Sequence, residues 1–508
     1  MTTFDAKTVW AEYQKGVSFK TQLGLYETVR QCEDFYAGDQ WKGVNAPDLP
    51  KPTLNMLKRV VAYFNAMIVS DDVAIRFSPY VPDPSLDKTC ALLSHELDRI
   101  LESTKARAKH REALRNAAVD GDGCFYLWFD PEKETGQANR GDIAIETVEN
   151  TCVHFGNPYT RNVQSQPYII LSMRRPAEEV RAEAEICGVS PSDAKRIAPQ
   201  MESELDEPFG GDGLVTVLLR LWKQNGTVWA QKSVKDLIIR KAWDTGLKLY
   251  PVAWMCWEAS RSSCHGVSAI KGLIPNQIAV NKLFAMAIRS VEMNAFPKII
   301  YDATKIERWS NRVGEAIAVA GSPENAIVSG IRGSDMSAQV MDIIHRTVGM
   351  TRDFMGASDA ALGNVNPVNT SAIIAVQKAS AAPLELQRLN FYQFIEDYVL
   401  IIADMMRACY GKRKVSYTGE DGSTVTEEFD FSTLDSLALK VRIDVGEASY
   451  WSELMQVQTL DNLFAKGILT DAETYLNSIP GHYIKDKHML LKALRGQREQ
   501  QMMKGDAT

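Results

Sequence analysis

The chain has 508 residues, of which 45% are hydrophobic and 24% charged, and its formal net charge is −7. This length exceeds one typical core and predicts two to four subdomains, while the composition excludes wholesale disorder. The acidic balance argues against a protein whose main task is to grip nucleic acid, but it is compatible with one that lets nucleic acid pass.

The cysteines, the N-terminal stretch and the apolar runs of the sequence bear on the cellular compartment of the protein. The eight cysteines are scattered and form no CxxC motif, which indicates reduced thiols rather than a disulfide framework. The N-terminal stretch "MTTFDAKTVWAEYQKG" mixes acids, bases and aromatics, unlike a signal peptide. No run of about 18 apolar residues occurs, so no membrane-spanning segment is predicted.

The N-terminal part of the chain begins with helical patterns, at 5–37 and at 86–119. Between them, "FYAGDQW" and the proline-rich segment after it predict an extended, turn-rich stretch, with "FYAGDQW" as an anchoring turn or a core corner. A helix is expected to begin near Leu54. The side chains that it is expected to bury are Leu57, Val60, Val61, Phe64 and Ile68.

After "DGDG" (residues 120–123), interpreted as a β-turn rather than a calcium loop, the hydrophobic period changes to two. The predicted strands are "CFYLWFD", "DIAIETVE", "CVHFGNP", "LVTVLLRLWKQ" and "TVWAQKSV". A surface helix is expected at 177–186. Residues 1–265 are therefore predicted to form an α+β unit.

From Gly266 onward the pattern becomes helical. The first amphipathic helix, ending before Pro297, is expected to bury Val280, Leu283, Phe284, Ala287 and Val291. A second carries Met336, Val340, Ile343, Ile344, Thr347 and Phe354 in register. Two strand-like pieces, "PKIIYD" and "NAIVSG", lie between the helices.

The stretch between Asp359 and Lys378 contains eighteen residues without one charge, which is unusual for a loop that runs through water. The longest helical pattern follows at 370–409, and Pro383 predicts a kink in it. Its apolar side chains are Leu386, Leu389, Phe391, Phe394, Ile395, Val399, Leu400 and Ile402. They predict burial on several sides, either at a contact between subunits or as the central helix of a monomer.

The last part of the chain predicts a hairpin at "KVSYTGEDGSTVTEEFDF" and then closing helices. Thr470 and Glu473 have the spacing of a capping box at the start of the last helix. The pair of helices around "FAKGILTDAE" is interpreted as ordinary packing, because its second helix is acidic and unsuited to reading DNA.

Motifs for catalysis are missing from the sequence. There is no GxxxxGK[ST], HExxH or GxSxG. Cys264–His265 is interpreted as a small pair before a helix, and His482 with His488 as core or solvated histidines, against the alternatives of a thiol nucleophile and a zinc site. The chain is therefore expected not to be an enzyme and to need no cofactor or metal.

The order of these features resembles the portal proteins of tailed bacteriophages, a family of head-to-tail connector rings. The likeness rests on "FYAGDQW" with "PKPTLNMLKRVV", on "HGVSAIKGLIPNQIAVNKLFAMAIRSVEMNAFPKII", on "FMGASDAALGNVNPVNTSAIIAVQKASAAPLELQ" and on "EASYWSELMQVQTLDNLFAKGILTDAETYLNSIP". Together these segments span most of the chain in the family's order, and their combination carries the resemblance.

The resemblance implies a mainly helical α+β fold with the portal subdivisions, assembled as a ring. These are an N-terminal wing (1–265), a first stem helix (266–295), a clip (296–333), a second stem helix (334–358), a tunnel loop (359–370), a kinked tunnel or wing helix (371–409), a wing β-hairpin return (410–446) and C-terminal crown helices (447–508).

The resemblance also implies the function. The ring, expected to be a dodecamer, would occupy one capsid vertex of the virion after assembly in the host bacterial cytoplasm. It would conduct double-stranded DNA during terminase-driven packaging and later ejection. Expected partners are the large terminase subunit, head–tail connector proteins, and the major capsid and scaffolding proteins. Another phage connector or minor capsid protein, or an enzyme with an unrecognised site near Cys264, His265 or His345, stays an alternative.

Three groups of site residues follow. The tunnel loop contributes Gly363, Asn364, Val365, Asn366, Pro367, Val368 and Asn369, whose lack of charge allows transient contact with DNA phosphates without holding them. Basic residues expected to face the channel or to pair between subunits are Lys282, Arg289, Arg346, Arg352 and Lys378. The resemblance alone places Glu307, Arg308, Arg312 and Glu315 on the partner-facing surface of the clip.

Overall fold

A computed structural model describes residues 3–69, 73–80, 83–199, 213–295, 298–308, 317–322, 327–331, 338–354, 382–418, 424–436, 439–445, 450–469, 471–479 and a few positions between 484 and 494. The predicted tunnel loop at 359–370 lies outside the described residues, as do Lys378, Arg312 and Glu315. The side chain of Arg352 is likewise not described.

The described part of the chain is a mixed α+β fold. Its helices are α1 (Ala6–Gln22), α2 (Leu25–Ala37), α3 (Met56–Val69), α4 (Pro84–Ser103), α5 (Ala106–Asp120), α6 (Ala177–Ile186), α7 (Pro191–Ala194), α8 (Ile274–Ala295), α9 (Ala338–Phe354), α10 (Glu385–Cys409), α11 (Tyr450–Ala465) and α12 (Ala472–Ser478). None of the described helices is both long enough and apolar enough to span a membrane.

The strands in the same residues are β1 (Val73–Pro79), β2 (Asp122–Asp130), β3 (Asp142–Thr147), β4 (Val153–Phe155), β5 (Tyr168–Pro176), β6 (Leu214–Gln224), β7 (Thr227–Ser233), β8 (Ile238–Asp244), β9 (Val252–Cys256), β10 (Lys298–Tyr301), β11 (Ile327–Ile331), β12 (Lys412–Thr418), β13 (Thr424–Asp430) and β14 (Leu439–Val445). They form a five-stranded sheet in the order β4-β5-β6-β7-β8, a three-stranded sheet β3-β2-β9, and the pairs β1-β14, β10-β11 and β12-β13. All five of the strands predicted in the N-terminal unit are confirmed.

The first helical pattern, 5–37, is divided into α1 and α2. Gly24 has φ +67°, a left-handed conformation that other residues adopt at a cost, so the chain turns there. Gly16 remains inside α1, where a Cβ atom would lie 2.8 Å from the His154 ring nitrogen Nδ1. The predicted helical pattern is therefore confirmed, with a turn at Gly24 and close packing at Gly16.

Helix α3 confirms the helix that the hydrophobic period predicted to begin near Leu54. Its predicted apolar positions, Leu57, Val60, Val61, Phe64 and Ile68, are all buried in the main core. Helix α6 is also confirmed, although one of its faces is covered rather than solvated: Ala177, Val180 and Ala184 are buried against the ends of β6 and β8.

The "DGDG" segment is a helix-to-strand connection and not the predicted β-turn. Asp120 is the last residue of α5, and Gly121 ends that helix with φ +100°. Asp122 and Gly123 are already the first residues of β2. At Gly123 a Cβ would lie 2.6 Å from the carbonyl oxygen of Ala113, so glycine lets β2 start directly against α5.

The main core lies where α5 and α10 pack over the central strand β2. The ring of Phe125 lies 4.8 Å from the ring of Phe394 and 5.6 Å from that of Tyr398. The Tyr398 hydroxyl is 2.8 Å from Nε2 of His110 on α5. Helix α10 is therefore a central helix of this chain's own core, which is one of the two expectations for its apolar pattern.

Helix α10 is not buried on every side. Leu386 is 71% exposed and Leu389 is 53% exposed, so this chain alone does not cover them, and a contact between subunits stays the prediction for these two residues. Pro383 lies in a short 3-10 turn, Ala382–Leu384, directly before α10. The residues before that turn lie outside the described part, so the predicted kink stays a prediction.

The C-terminal region returns to the N-terminal half through long-range pairing. Strand β14 is antiparallel to β1, with Val73 opposite Val445 and Pro79 opposite Leu439. The predicted hairpin is confirmed as β12 and β13. In α12 the N-cap is Asp471, whose Oδ2 accepts the backbone N–H of Thr474 at 3.2 Å, so the expected cap at Thr470, itself outside the described residues, was wrong by one residue.

Candidate functional site

Helices α8 and α9, with the hairpin β10-β11 between them in sequence, contain most of the site residues that the structure describes. Asn276 near the start of α8 donates to Thr351 near the end of α9, at 3.1 Å. Val280 and Ile344 are buried together further along. These contacts pair the beginning of one helix with the end of the other, so the two helices are antiparallel.

Burial fades along α8. Val280 and Ala287 are buried as predicted, and Leu283 and Phe284 are partly covered by α9. Val291 is 62% exposed, which contradicts its expected place in the buried stripe. The predicted stripe is therefore covered as far as Ala287, in the fourth turn of α8, but no longer at Val291.

The helix pair exposes several large apolar side chains. These are Met286, Val291 and Met293 on α8, and Met341, Ile343 and Met350 on α9, of which Met286 and Met350 are each 59% exposed. Concentration of large apolar side chains on one pair of elements is typical of an association surface. We call these six residues the exposed apolar set.

Charged residues alternate with the exposed apolar set. Arg346 is 71% exposed and lies 2.9 Å from Asp342 one turn earlier in α9. Arg289 lies 3.5 Å from Glu292 in α8, with both side chains about half exposed, and Lys282 is exposed on the same helix. Exposed pairs of this kind contribute roughly 0–1 kcal/mol and exchange partners readily. The basic residues are therefore at the surface, accessible to a further partner.

The hairpin β10-β11 confirms the two strand-like pieces predicted between the helices. Within the connection from β10 to β11, directly after β10, a turn is formed in which Asp302 accepts the backbone N–H and the hydroxyl of Thr304, at 3.0 and 2.6 Å. These bonds hold the pKa of Asp302 below its usual range. Glu307 and Arg308, just beyond the turn, are exposed.

A buried network of amide side chains attaches α8 to the N-terminal segment. Gln277 donates to the carbonyl oxygen of Leu54 at 2.7 Å and to Oδ1 of Asn281 at 2.9 Å, and its own Oε1 accepts the backbone N–H of Met56 at 3.0 Å. Asn281 in turn donates to Oε1 of Gln40 at 2.6 Å. We call Gln40, Gln277 and Asn281 the amide anchor.

The amide anchor explains the "FYAGDQW" segment. Gln40 donates to the carbonyl oxygen of Phe35 at 3.0 Å, and the Trp41 indole donates to that of Pro52 at 2.9 Å. Asn55 donates to the carbonyl oxygen of Tyr36 at 2.9 Å. Both alternatives for this segment were partly right: it is a core corner, and it fastens α8 to the chain's N-terminal segment.

The segment between β9 and α8 is attached by hydrogen bonds to the buried Asp122 side chain. Nδ1 of His265 lies 2.8 Å from Oδ2 of Asp122, and both side chains are buried. Oδ1 of Asp122 accepts the backbone N–H of Gly266 at 2.7 Å, and Asn150 donates to its Oδ2 at 3.2 Å. The "DGDG" and Cys264–His265 segments, which the sequence analysis interpreted independently, are therefore in contact in the folded chain.

A buried lysine, Lys20, lies near the same carboxylate. The Lys20 ammonium donates to the carbonyl oxygens of Asn150 and Thr151, each at 2.8 Å. Burial lowers the pKa of Lys20 to about 7, and the carboxylate of Asp122 is among the nearby groups that partly oppose this. Burial also raises the pKa of the Cys264 thiol to about 12, which suits an inert thiol better than a nucleophile.

Sequence reasoning missed Gln277, Asn281, Asp122 and Lys20. For the first two a signal existed: two amides at i and i+4 lie beside the apolar stripe of α8, at spacing that puts them on one face. Asp122 and Lys20 have no such local signal, because their partners are far along the chain. In the part of the chain that the structure describes, no group of three or more Cys, His, Asp or Glu side chains is placed to hold a metal ion.

Comparison with known proteins leaves the chain without an assigned family. No family model matches its sequence, and no curated protein matches it at a significant level.

Proposed function

We propose that this chain is a portal-type subunit of a tailed bacteriophage, which assembles as a ring at one capsid vertex and conducts double-stranded DNA. The observation that carries the proposal is the antiparallel helix pair α8-α9, interrupted by the hairpin β10-β11 and followed in sequence by eighteen uncharged residues. That order is the one implied by the resemblance of the sequence to portal proteins.

The exposed surface of the helix pair supports self-association. A monomer would leave Met286, Val291, Ile343 and Met350 in water beside alternating cations and anions. A neighbouring copy in a ring would cover apolar side chains and offer oppositely charged partners to Arg289 and Arg346. Burying apolar surface stabilises association by about 25 cal/mol per Å² before the costs of association are subtracted.

The uncharged stretch at 360–377 supports a role in letting DNA pass rather than in binding it tightly. Duplex DNA carries one negative charge per about 1.7 Å, and about 6–10 lysine or arginine contacts already give strong, salt-dependent binding. A loop of amides and apolar groups, repeated around a ring, would contact DNA without retaining it. Terminase, connector, capsid and scaffolding proteins are the partners that this role requires.

The test is electron microscopy of the purified full chain together with its mass in solution. We expect rings with a central hole and a mass near twelve times 56.6 kDa. Met286→Glu combined with Met350→Glu should reduce ring formation at least tenfold, because it places charge on the association surface. Ile186→Glu is the matched control, since Ile186 is 87% exposed on α6, away from the helix pair.

A protein that stays monomeric under all conditions, including with scaffolding protein present, would contradict the proposal. So would rings that form equally well with the Met286→Glu, Met350→Glu double variant and with the Ile186→Glu control, because the helix pair would then not be the association surface.

A further inference from the structure

Each helix of the pair α8-α9 has an exposed stripe with the same pattern of residue types. The α8 stripe consists of Met286, Arg289 and Met293, and the α9 stripe of Ile343, Arg346 and Met350. In both, an arginine lies between two large apolar residues, at spacings of three and four positions that place all three side chains on one helix face. The apolar members are 48–59% exposed, so both faces are available for a contact.

The two stripes do not face each other within one chain. The helices contact each other through other positions, namely Asn276, Val280 and Phe284 on α8 and Val340, Ile344 and Thr351 on α9. With 3.6 residues per turn, each stripe lies about 120–130° around its helix from these contact positions. Each stripe is therefore turned away from the other helix of its own chain.

The stripes match each other when the two helices run antiparallel. In that orientation apolar side chains lie level with apolar ones, and the arginines lie level with each other. The level pairs are Met286 with Met350, Arg289 with Arg346, and Met293 with Ile343, all within one residue of the same register. One residue is about 1.5 Å along a helix, which a flexible Met side chain accommodates easily.

The two arginines bring acidic partners with them. Glu292 lies 3.5 Å from Arg289, and Asp342 lies 2.9 Å from Arg346. In the antiparallel arrangement both acids fall on the same side of the arginines, so each arginine has the other helix's acid within about one turn. The four charges sum to zero, so the contact covers this layer without burying a net charge.

We propose that the α8 stripe of one copy of the chain binds the α9 stripe of the next copy, in antiparallel orientation. Copies related by rotation about an axis along the helices keep this orientation, because α8 and α9 are already antiparallel in one chain. The contact joins two different faces, so each copy uses one stripe toward each of two neighbours. This inference rests on the self-association proposed above, but on neither DNA nor the number of copies.

The register also determines how neighbouring copies are displaced. Within one chain Asn276 lies level with Thr351, so Met286 lies level with residue 341 of its own α9. In the proposed contact Met286 lies level with residue 350 of the neighbour, a shift of about nine positions or 14 Å along the helices. Rotation about an axis parallel to the helices produces no such shift. A reconstruction of the rings should therefore show α8 and α9 inclined to the ring axis.

Disulfide crosslinking of the full chain tests the contact. The antiparallel pairs are Met286→Cys with Met350→Cys and Met293→Cys with Ile343→Cys. The matched controls are the pairs that a parallel contact would require, Met286→Cys with Ile343→Cys and Met293→Cys with Met350→Cys. All variants also carry Cys187→Ser, because Cys187 is exposed. Under mild oxidation the antiparallel pairs should crosslink at least tenfold faster than the parallel pairs.

Mixtures of single variants test whether two different faces meet. Met286→Cys mixed with Met350→Cys should give a crosslinked dimer, whereas neither variant should crosslink alone. The chain that carries both substitutions should give a ladder of larger products, because each copy then links to two neighbours. The substituted side chains are exposed, so the variants should keep the stability of the wild type.

Faster crosslinking of the parallel pairs, or crosslinking of a single variant alone, would overturn the proposed contact. Rings in which no pair crosslinks would also overturn it, and in all these cases the ring itself would stand. Antiparallel crosslinks that stop at a dimer would support the contact and contradict the ring. A chain that stays monomeric and forms no crosslink would overturn both.

Discussion

At the scale of single residues, this molecule is organised by polar side chains buried far from water. Lys20, Asp122 and Asp404 each satisfy backbone groups that no regular element satisfies. The Asp404 carboxylate, for instance, accepts the backbone N–H groups of Lys248 and Leu249 at 2.7 and 2.9 Å. Buried polar groups with complete hydrogen bonds specify one arrangement, because any shift leaves a costly unpaired group.

Lys20 should make stability depend on pH. Its pKa is about 7 in the folded chain, below the ordinary value of 10.5, so between these values the unfolded chain binds more protons. Stability from this group therefore rises as pH increases from 7 toward 10. The free energy of unfolding of the wild type, relative to Lys20→Met, should increase by about 2 kcal/mol from pH 7 to pH 9.

Denaturant titrations at both pH values measure this difference. Lys15→Met, on the same helix but exposed, is the control, and its difference from the wild type should stay constant with pH. If the difference in free energy of unfolding between the wild type and Lys20→Met also stayed constant with pH, the pKa of Lys20 would not be lowered in the folded chain.

At the scale of elements, the end of α10 is bound to the sheet β3-β2-β9 by one carboxylate. Asp142 on β3 accepts from Arg99 of α4 at 3.1 and 3.0 Å, and from the Tyr410 hydroxyl at 2.6 Å. Burial by itself raises the pKa of Asp142, but the bonds from Arg99 and Tyr410 outweigh it and hold that pKa well below its usual range. Three elements distant in sequence are thereby tied together.

Asp142→Asn should lower the free energy of unfolding by about 2 kcal/mol at pH 7, because Arg99 and Tyr410 lose a buried charged partner. The folded-state pKa is depressed, so this stabilisation is present above about pH 4, the ordinary range of an aspartate, and is lost as pH falls below it. The wild type and the variant should therefore converge in acid. Thermal unfolding at pH 7 and pH 3 measures both effects.

Asp130→Asn provides the matched comparison, since Asp130 lies opposite Asp142 in the β2-β3 register. It should change stability by less than about 1 kcal/mol. If Asp130→Asn and Asp142→Asn lowered the free energy of unfolding equally, the stabilisation would come from a carboxylate at the end of either strand and not from the contact of Asp142 with Arg99.

At the scale of the whole molecule, charge is the property that bears on the proposed role. A dodecamer would carry a formal 12 × −7 = −84 charges, so most of its surface would repel DNA. The uncharged stretch would then be a place where DNA passes with neither strong repulsion nor strong retention.

Adding positive charge to that stretch should slow DNA packaging. Asn364→Lys with Asn366→Lys would place two cations per subunit around the channel, and phosphate contacts strengthen steeply with their number. We expect the packaging rate in a reconstituted assay to fall several-fold at low salt and to recover as salt is raised. Asn364→Gln with Asn366→Gln is the uncharged control, and equal rates for both pairs would contradict the role of the loop.

Local pattern predicted much of the secondary structure, for identifiable reasons. Helix α3, the strands β2, β3, β6 and β7 and the hairpin β12-β13 follow from periods of 3.6 and 2, which neighbouring residues determine. Strands β1 and β14 were not predicted, because their pairing joins residues near 75 with residues near 443. Val291 was expected to be buried but is exposed in this chain. An apolar stripe predicts that one face of a helix is covered, but it does not predict which element covers it.

By itself the sequence predicted an acidic α+β chain with amphipathic helices within 266–295 and 334–358 and an uncharged stretch after them. Only the tertiary structure decided which polar residues meet. His265 pairs with Asp122 across 143 positions, and Asn281 with Gln40 across 241. The period of hydrophobic residues along a sequence predicts whether a side chain is buried or exposed. A hydrogen bond requires one particular partner, and which residues become partners depends on how elements distant in sequence pack together.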